Sequence, residues 1–101
     1  MMYPPEYVNE ILDNFDFKKV RKTMKKLKWT WINVNSNEMY QPTVDQLKSE
    51  AKRLLNDTVI ALQQMNDYTI GTGGLAVRGS RFGDKIYLKL SFVVEACDNY
   101  D

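Results

Sequence analysis

Histidine is absent from this chain, cysteine occurs once, and no apolar stretch approaches the roughly 20 residues that span a bilayer. Without histidine the commonest general acid–base and the usual zinc ligand are both missing. The lone Cys97 excludes an internal disulfide and a multi-cysteine metal site, fits a reducing compartment, and has no imidazole to activate it. Charge of one sign is also lacking: 14 basic and 13 acidic residues leave a net +1, so no global field points to nucleic acid, a membrane or a polyanion. The start, MMYPPEYVNEIL, has no basic segment leading into an apolar run, so a soluble, unprocessed protein is expected. Asp13, Asp16, Asp45, Asp57, Asp67, Asp84 and Glu95 fall at expected caps, turns or exposed helix positions. No two of them are placed to work as acid and base, so no catalytic residue, no metal site and no cofactor is expected.

What is present is one strong strand pattern. Between Lys85 and Val94, Ile86, Leu88, Leu90, Phe92 and Val94 alternate with Lys85, Tyr87, Lys89, Ser91 and Val93, the period of a strand with one buried face. Leu75 and Val77 alternate in the same way upstream, and Gly79 to Asp84 reads as a hairpin loop longer than two residues. A β-hairpin over 68–95 follows. With 101 residues, 44% of them hydrophobic, the chain has room for one domain and one core.

In chain order, Val8, Ile11, Leu12 and Phe15 recur at helical spacing after Pro4-Pro5, and Phe17, Val20, Met24 and Leu27 do so after Asp16. Residues 6–28 are therefore helical, with a break at Asn14 to Asp16 and Asp16 as cap of the second segment. Residues 29–34, with Trp29, Trp31, Ile32 and Val34, suit a strand ending in the turn formers Asn35 to Glu38. Trp29 and Trp31 share one face of it, Ile32 and Val34 the other. Thr43 and Gln46 have capping-box spacing, and Val44, Leu47, Ala51, Leu54, Leu55, Thr58, Leu62 and Met65 continue a stripe over 43–65. A helix of about 22 residues is longer than most strands it would cover, and its overhang is available for oligomerisation. The fold class expected is α+β: N-terminal helices, a strand, a long helix and a hairpin, with about three antiparallel strands covered on one face by helices. Open edges and an uncovered face favour a homo-oligomer.

Three features invite a ligand. Gly71-Thr72-Gly73-Gly74 reads either as a bulge that lets the long helix lie close to the sheet, or as a bend whose backbone N–H groups meet an anion. It lacks the long Walker spacing and a following helix. On the functional reading Thr72, Gly73, Gly74, Arg78 and Arg81 line an anion pocket, and Trp29 or Trp31 stacks a base. The structural alternative makes the tryptophans core and the arginines ordinary surface charge. Lys18 to Lys28 holds seven basic residues in eleven, suited to a phosphate backbone or to solvent. The six tyrosines suit contact surfaces without locating one.

Trp29 with Trp31, Pro42 with Thr43, Thr72-Gly73-Gly74, and Leu88, Leu90, Phe92 and Val93 together resemble a group of small phage and prophage accessory proteins, over about Asp16 to Glu95. The resemblance implies a phage protein at work in the host cytoplasm, non-enzymatic, that antagonises host defence. It does so by sequestering a small anionic nucleotide or by blocking a defence protein directly. A DNA- or RNA-binding accessory protein using the basic helix is the alternative from another class.

Overall fold

The computed structural model describes residues 5–93. The expected strand end at Val94 and Glu95, and Cys97, lie outside them. Among the described residues three helices come first or between strands: α1 (Pro5–Asn14), α2 (Phe17–Lys26) and α3 (Val44–Ala61). The five strands described there form two antiparallel sheets. β1 (Trp31–Ile32) pairs with β2 (Met39–Tyr40), and β3 (Asp67–Thr72), β4 (Leu75–Phe82) and β5 (Lys85–Phe92) form a meander with β4 in the centre. The fold is α+β, with α3 packed on one face of the meander and α1 and α2 packed on α3.

The helix boundaries follow from caps. Asp16 accepts the Lys19 N–H at 3.0 Å and so starts α2 where the sequence suggests a break, while Phe15 and Phe17 meet edge to face at 4.9 Å across it. Thr43 and Gln46 form the reciprocal capping box of α3, with Thr43 Oγ1 accepting the Gln46 N–H at 3.1 Å and Gln46 Oε1 accepting the Thr43 N–H at 2.9 Å.

α3 is shorter than the 43–65 expected. It ends at Ala61 with Leu62 as cap, and Met65 is exposed. The chain tightens through Gln63 N–H to Ile60 O and Gln64 N–H to Ala61 O because Asp67 must already pair with Ser80 in the sheet. Arg81 closes this corner: its N–H bonds Asn66 O at 2.8 Å, and its guanidinium reaches Gln63 O and Asn66 Oδ1. A cation bonding carbonyls just past a helix C-terminus also matches the dipole. At 18 residues α3 is about 27 Å long, against about 26 Å for the eight residues of β4. The expected overhang is therefore absent.

Two expectations about the strands need correction. The Trp segment does not supply the third strand of the main sheet, which is β3; residues 29–34 reduce to the two-residue β1 in a separate small hairpin. The reason is local, since Asn33 Oδ1 accepts the Asn35 and Ser36 N–H groups and Asn33 N–H bonds Glu38 O, turning the chain back at once. Nor do residues 79–84 form a long loop. Gly79 to Phe82 continue β4, paired with Leu88, Tyr87, Ile86 and Lys85, and Gly83-Asp84 alone makes the turn.

Leu75, Val77, Ile86 and Leu90 project from the sheet to meet Leu47, Ala51, Leu54, Leu55 and Leu62 of the α3 region, all buried. Each of the larger of these side chains, the leucines, isoleucine and valine, contributes about 1.5–3 kcal/mol when fully removed from water. Helix and sheet come close at Gly79, where a Cβ would lie 2.5 Å from Thr58 Cγ2 and 2.7 Å from Leu62 Cδ1. Thr58, fully buried, satisfies its hydroxyl by donating to Leu54 O at 2.7 Å and so keeps its methyl towards Gly79. Gly79→Ala is expected to destabilise the protein by about 1–3 kcal/mol through overpacking, read as a lower midpoint in urea with an unchanged slope.

Candidate functional site

The glycine run resolves into a turn rather than a bulge. Thr72 pairs with Leu75, leaving Gly73 and Gly74 as a two-residue connection with φ of +63° and +93°. Two successive positive φ angles are the requirement of a type I′ turn, which suits glycine. Both glycines are also under a tryptophan. A Cβ on Gly73 would lie 2.5 Å from Trp31 Nε1, and one on Gly74 would lie 2.7 Å from Trp29 Cη2. Trp31 Nε1 donates to Gly73 O at 2.9 Å, and Trp29 also meets the Phe92 ring at 5.9 Å.

What aims the tryptophans is the end of α2. Lys28 sits in the left-handed region at φ +57°, its N–H bonds Lys25 O at 3.2 Å, and the Trp29 N–H bonds Met24 O at 2.9 Å. These are the two bonds of a Schellman motif, which reverses the chain and turns Trp29 back over the sheet. Gln41 Nε2 reaches Met24 O and Trp29 O, and Arg21 Nε donates to Pro42 O, so the segment entering α3 is tied to the same corner.

Beside this clasp lies an open cleft of about 830 Å³ between the β1–β2 hairpin, the first turns of α3 and the Thr72-Gly73 turn. Trp29, Trp31 and Tyr40 supply its rings, with Trp31 and Tyr40 edge to face at 6.3 Å. Ile32 and Val34 add apolar surface, and Val34 is 88% exposed. α3 contributes Asp45, Ser49, Glu50 and Arg53. Arg53 Nε bonds Glu50 Oε1 at 2.6 Å and Nη1 bonds Asp57 Oδ2 at 3.0 Å. The hydrogen bond that Arg53 donates to Glu50 is the largest influence on the guanidinium pKa; together with the attraction of Glu50 and Asp57 it outweighs desolvation, the second largest, and raises the pKa above its ordinary value. Arg53 thus remains a cation at every working pH, but one already engaged. Asp45 makes no ion pair among the described residues.

Of the residues expected to form a ligand pocket, Trp29, Trp31, Thr72 and Gly73 line this cleft and Gly74 lies under Trp29. The arginines are elsewhere. Arg78 points from the far face of β4, paired with Thr69 and Lys89, and Arg81 is about 20 Å along β4 from Leu75, holding the α3–β3 corner. Sequence reasoning did not bring α3 to the tryptophans. The 50, 53 and 57 spacing was the available signal for the ion-pair relay, but nothing local says which hairpin it will face.

The basic segment is confirmed as a surface feature. Lys18, Lys19, Arg21, Lys22, Lys25, Lys26 and Lys28 are all exposed, and none makes an ion pair among the described residues. No acidic residue falls between 17 and 28, so the other seven basic residues face all thirteen acidic ones, a balance of −6 set against +7. The described residues contain no group of three or more His, Cys, Asp or Glu able to hold a metal ion, and no helix among them is long and apolar enough to cross a membrane. Compared with known proteins, the chain matches no family model, no curated protein and no solved structure.

Two substitutions test the clasp. Gly73→Ala is expected to cost about 2–4 kcal/mol, the sum of a strained left-handed backbone and a clash with the Trp31 indole. Its measurement is urea unfolding followed by tryptophan fluorescence. Lys28→Gly, which relieves the left-handed strain without touching a contact, is expected to add up to about 1 kcal/mol, seen as a melting temperature higher by roughly 4–8 °C.

Proposed function

We propose that this chain is a non-enzymatic binding protein that blocks a partner protein by receiving, in the tryptophan cleft, a segment carrying apolar side chains and a lysine or arginine. The observation that carries this reading is the charge state of the cleft: the single cation lining it among the described residues, Arg53, is held by Glu50 and Asp57, while Asp45 forms no ion pair there and lines the same cleft as three aromatic rings. A cationic side chain finds ring faces and a carboxylate there, and apolar neighbours find Ile32 and Val34. A nucleotide phosphate finds two carboxylates and no free donor cation. Direct block of a protein therefore ranks above sequestration of an anionic nucleotide. The setting proposed, a phage protein acting against host defence, rests on the resemblance of the Trp, Pro-Thr and Thr-Gly-Gly segments.

Selection of a random peptide library on the immobilised protein tests the chemistry of the cleft directly. Enriched peptides are expected to combine a basic residue with aliphatic or aromatic ones, and to lose about tenfold or more in affinity for Val34→Asp and Asp45→Lys. Both positions are exposed. Acidic consensus peptides, or unchanged binding to both variants, would sink the reading. Binding of a cyclic dinucleotide that disappears in Arg53→Ala would restore the nucleotide alternative.

A further inference from the structure

The meander has a second face, turned away from the helices, and its side chains are fixed by the register. Thr69, Arg78 and Lys89 form one row across β3, β4 and β5; Asp67, Ser80 and Tyr87 form the next but one; Phe82 and Lys85 end the β4–β5 ladder. Towards the Gly73-Gly74 turn the row is Gly71, Ala76 and Ser91, small enough to leave a flat floor.

Two properties of this face ask for a ligand. Arg78 and Lys89 are directly opposite each other on neighbouring strands, both exposed, and neither forms an ion pair among the described residues. Like charges directly opposite destabilise a sheet, an arrangement that an anion would relieve. Lys85 adds a third cation. The carboxylates nearby are Asp67, which accepts a bond from Ser80 at 3.3 Å, Asp84 in the terminal turn, and Glu10 of α1, which lines a shallow cleft with Lys89 at the β5 edge without forming an ion pair with it. Phe82 and Tyr87 then place two aromatic rings in solvent, 68% and 52% exposed, edge to face at 5.8 Å. Tyr87 and Lys89 are two residues apart on one strand, about 7 Å, so a ring and a cation lie within the span of a single nucleotide.

We propose that this face binds single-stranded nucleic acid, its bases stacking on Phe82 and Tyr87 and its phosphates held by Arg78, Lys85 and Lys89. Base-on-ring stacking combined with a cationic track is the physical basis of single-strand recognition, and it needs bases that are already unstacked. A duplex offers none, and the flat face presents no element to enter a groove about 12 Å wide. The site is independent of the tryptophan cleft, which lies at the helix side of the Gly73-Gly74 turn.

Fluorescence anisotropy of the full chain with labelled 15-mers of deoxythymidine and of uridine, beside a mixed-sequence duplex of equal length, tests this at rising salt. Both single strands are expected to bind at low salt, tighter than the duplex, and the tighter of the two names the polymer the face prefers. Tyr87→Ala is expected to weaken binding about tenfold or more. Arg78→Ser with Lys89→Ser is expected to reduce the slope of log affinity on log salt by about 1.4, two phosphate contacts at about 0.7 each. Since these side chains are exposed, circular dichroism should be unchanged; if Tyr87→Ala unfolds, the Arg78→Ser, Lys89→Ser variant still decides. Lys18→Glu, Lys22→Glu, Lys25→Glu serves as the competing surface and is expected to keep the single-strand preference. Duplex bound as tightly as single strand, binding lost only in the α2 variant, or no binding at low salt would each overturn the proposal.

Discussion

Everything in the arrangement of this protein depends on two tryptophans resting on two glycines. The Gly73-Gly74 turn needs positive φ at both positions to match the twist of β3 and β4, and the same lack of Cβ gives Trp29 and Trp31 their seats. One backbone requirement thus serves two purposes. The Trp31 indole N–H bond to Gly73 O joins residues 42 apart in sequence and ties the helical half of the chain to the sheet. Trp29 reaches the turn only because Lys28 accepts a left-handed conformation at the end of α2. The clasp, the Schellman reversal and the β1–β2 hairpin are therefore mechanically one unit, and the cleft is the space left beside it.

Charge is segregated more sharply than the net +1 suggests. The helix α2 is wholly basic on its exposed side, the cleft is bordered by carboxylates with its arginine already paired, and the outer sheet face carries cations that form no ion pair among the described residues. Surfaces so different in sign suit different partners. That separation supports a binding protein with a protein-directed cleft on one side and an anion-directed sheet face on the other. It also explains why a composition-level argument against polyanions is weak here: a balanced total says nothing about how charge is distributed over faces.

Periodicity and capping chemistry made much of the fold legible. The break before α2, the capping box of α3, the buried positions Leu47, Ala51, Leu54, Leu55, Thr58 and Leu62, and the inward residues Ile86, Leu88, Leu90 and Phe92 all follow from spacing of 3.6 or 2 and from side chains that bond nearby backbone. β3 was not legible as a strand because Asp67, Thr69, Gly71 and Thr72 carry little apolar signal; its place comes from pairing with β4. Gly79 looked like a loop residue and is instead a strand position with no room for a Cβ beneath Thr58 and Leu62. Four of the thirteen residues lining the cleft, Trp29, Trp31, Thr72 and Gly73, could be named together in advance, but Arg78 and Arg81 were assigned to the same place on nearness in sequence. In a strand, nearness in sequence is distance along an axis, and alternate residues point to opposite faces.

The sequence by itself determined that this is an α+β protein with helices built around Asp16 and Thr43 caps and an amphipathic C-terminal sheet, because each of those is decided within a few residues of chain. Only the tertiary structure decided that the tryptophans seat on the glycine turn, that Arg81 locks a helix end while Arg78 joins Lys89 on an open face, and that α3 brings Asp45 and Arg53 to the cleft. Those outcomes depend on strand register and on how one element packs over another, which are set by the whole core at once and are written in no local pattern.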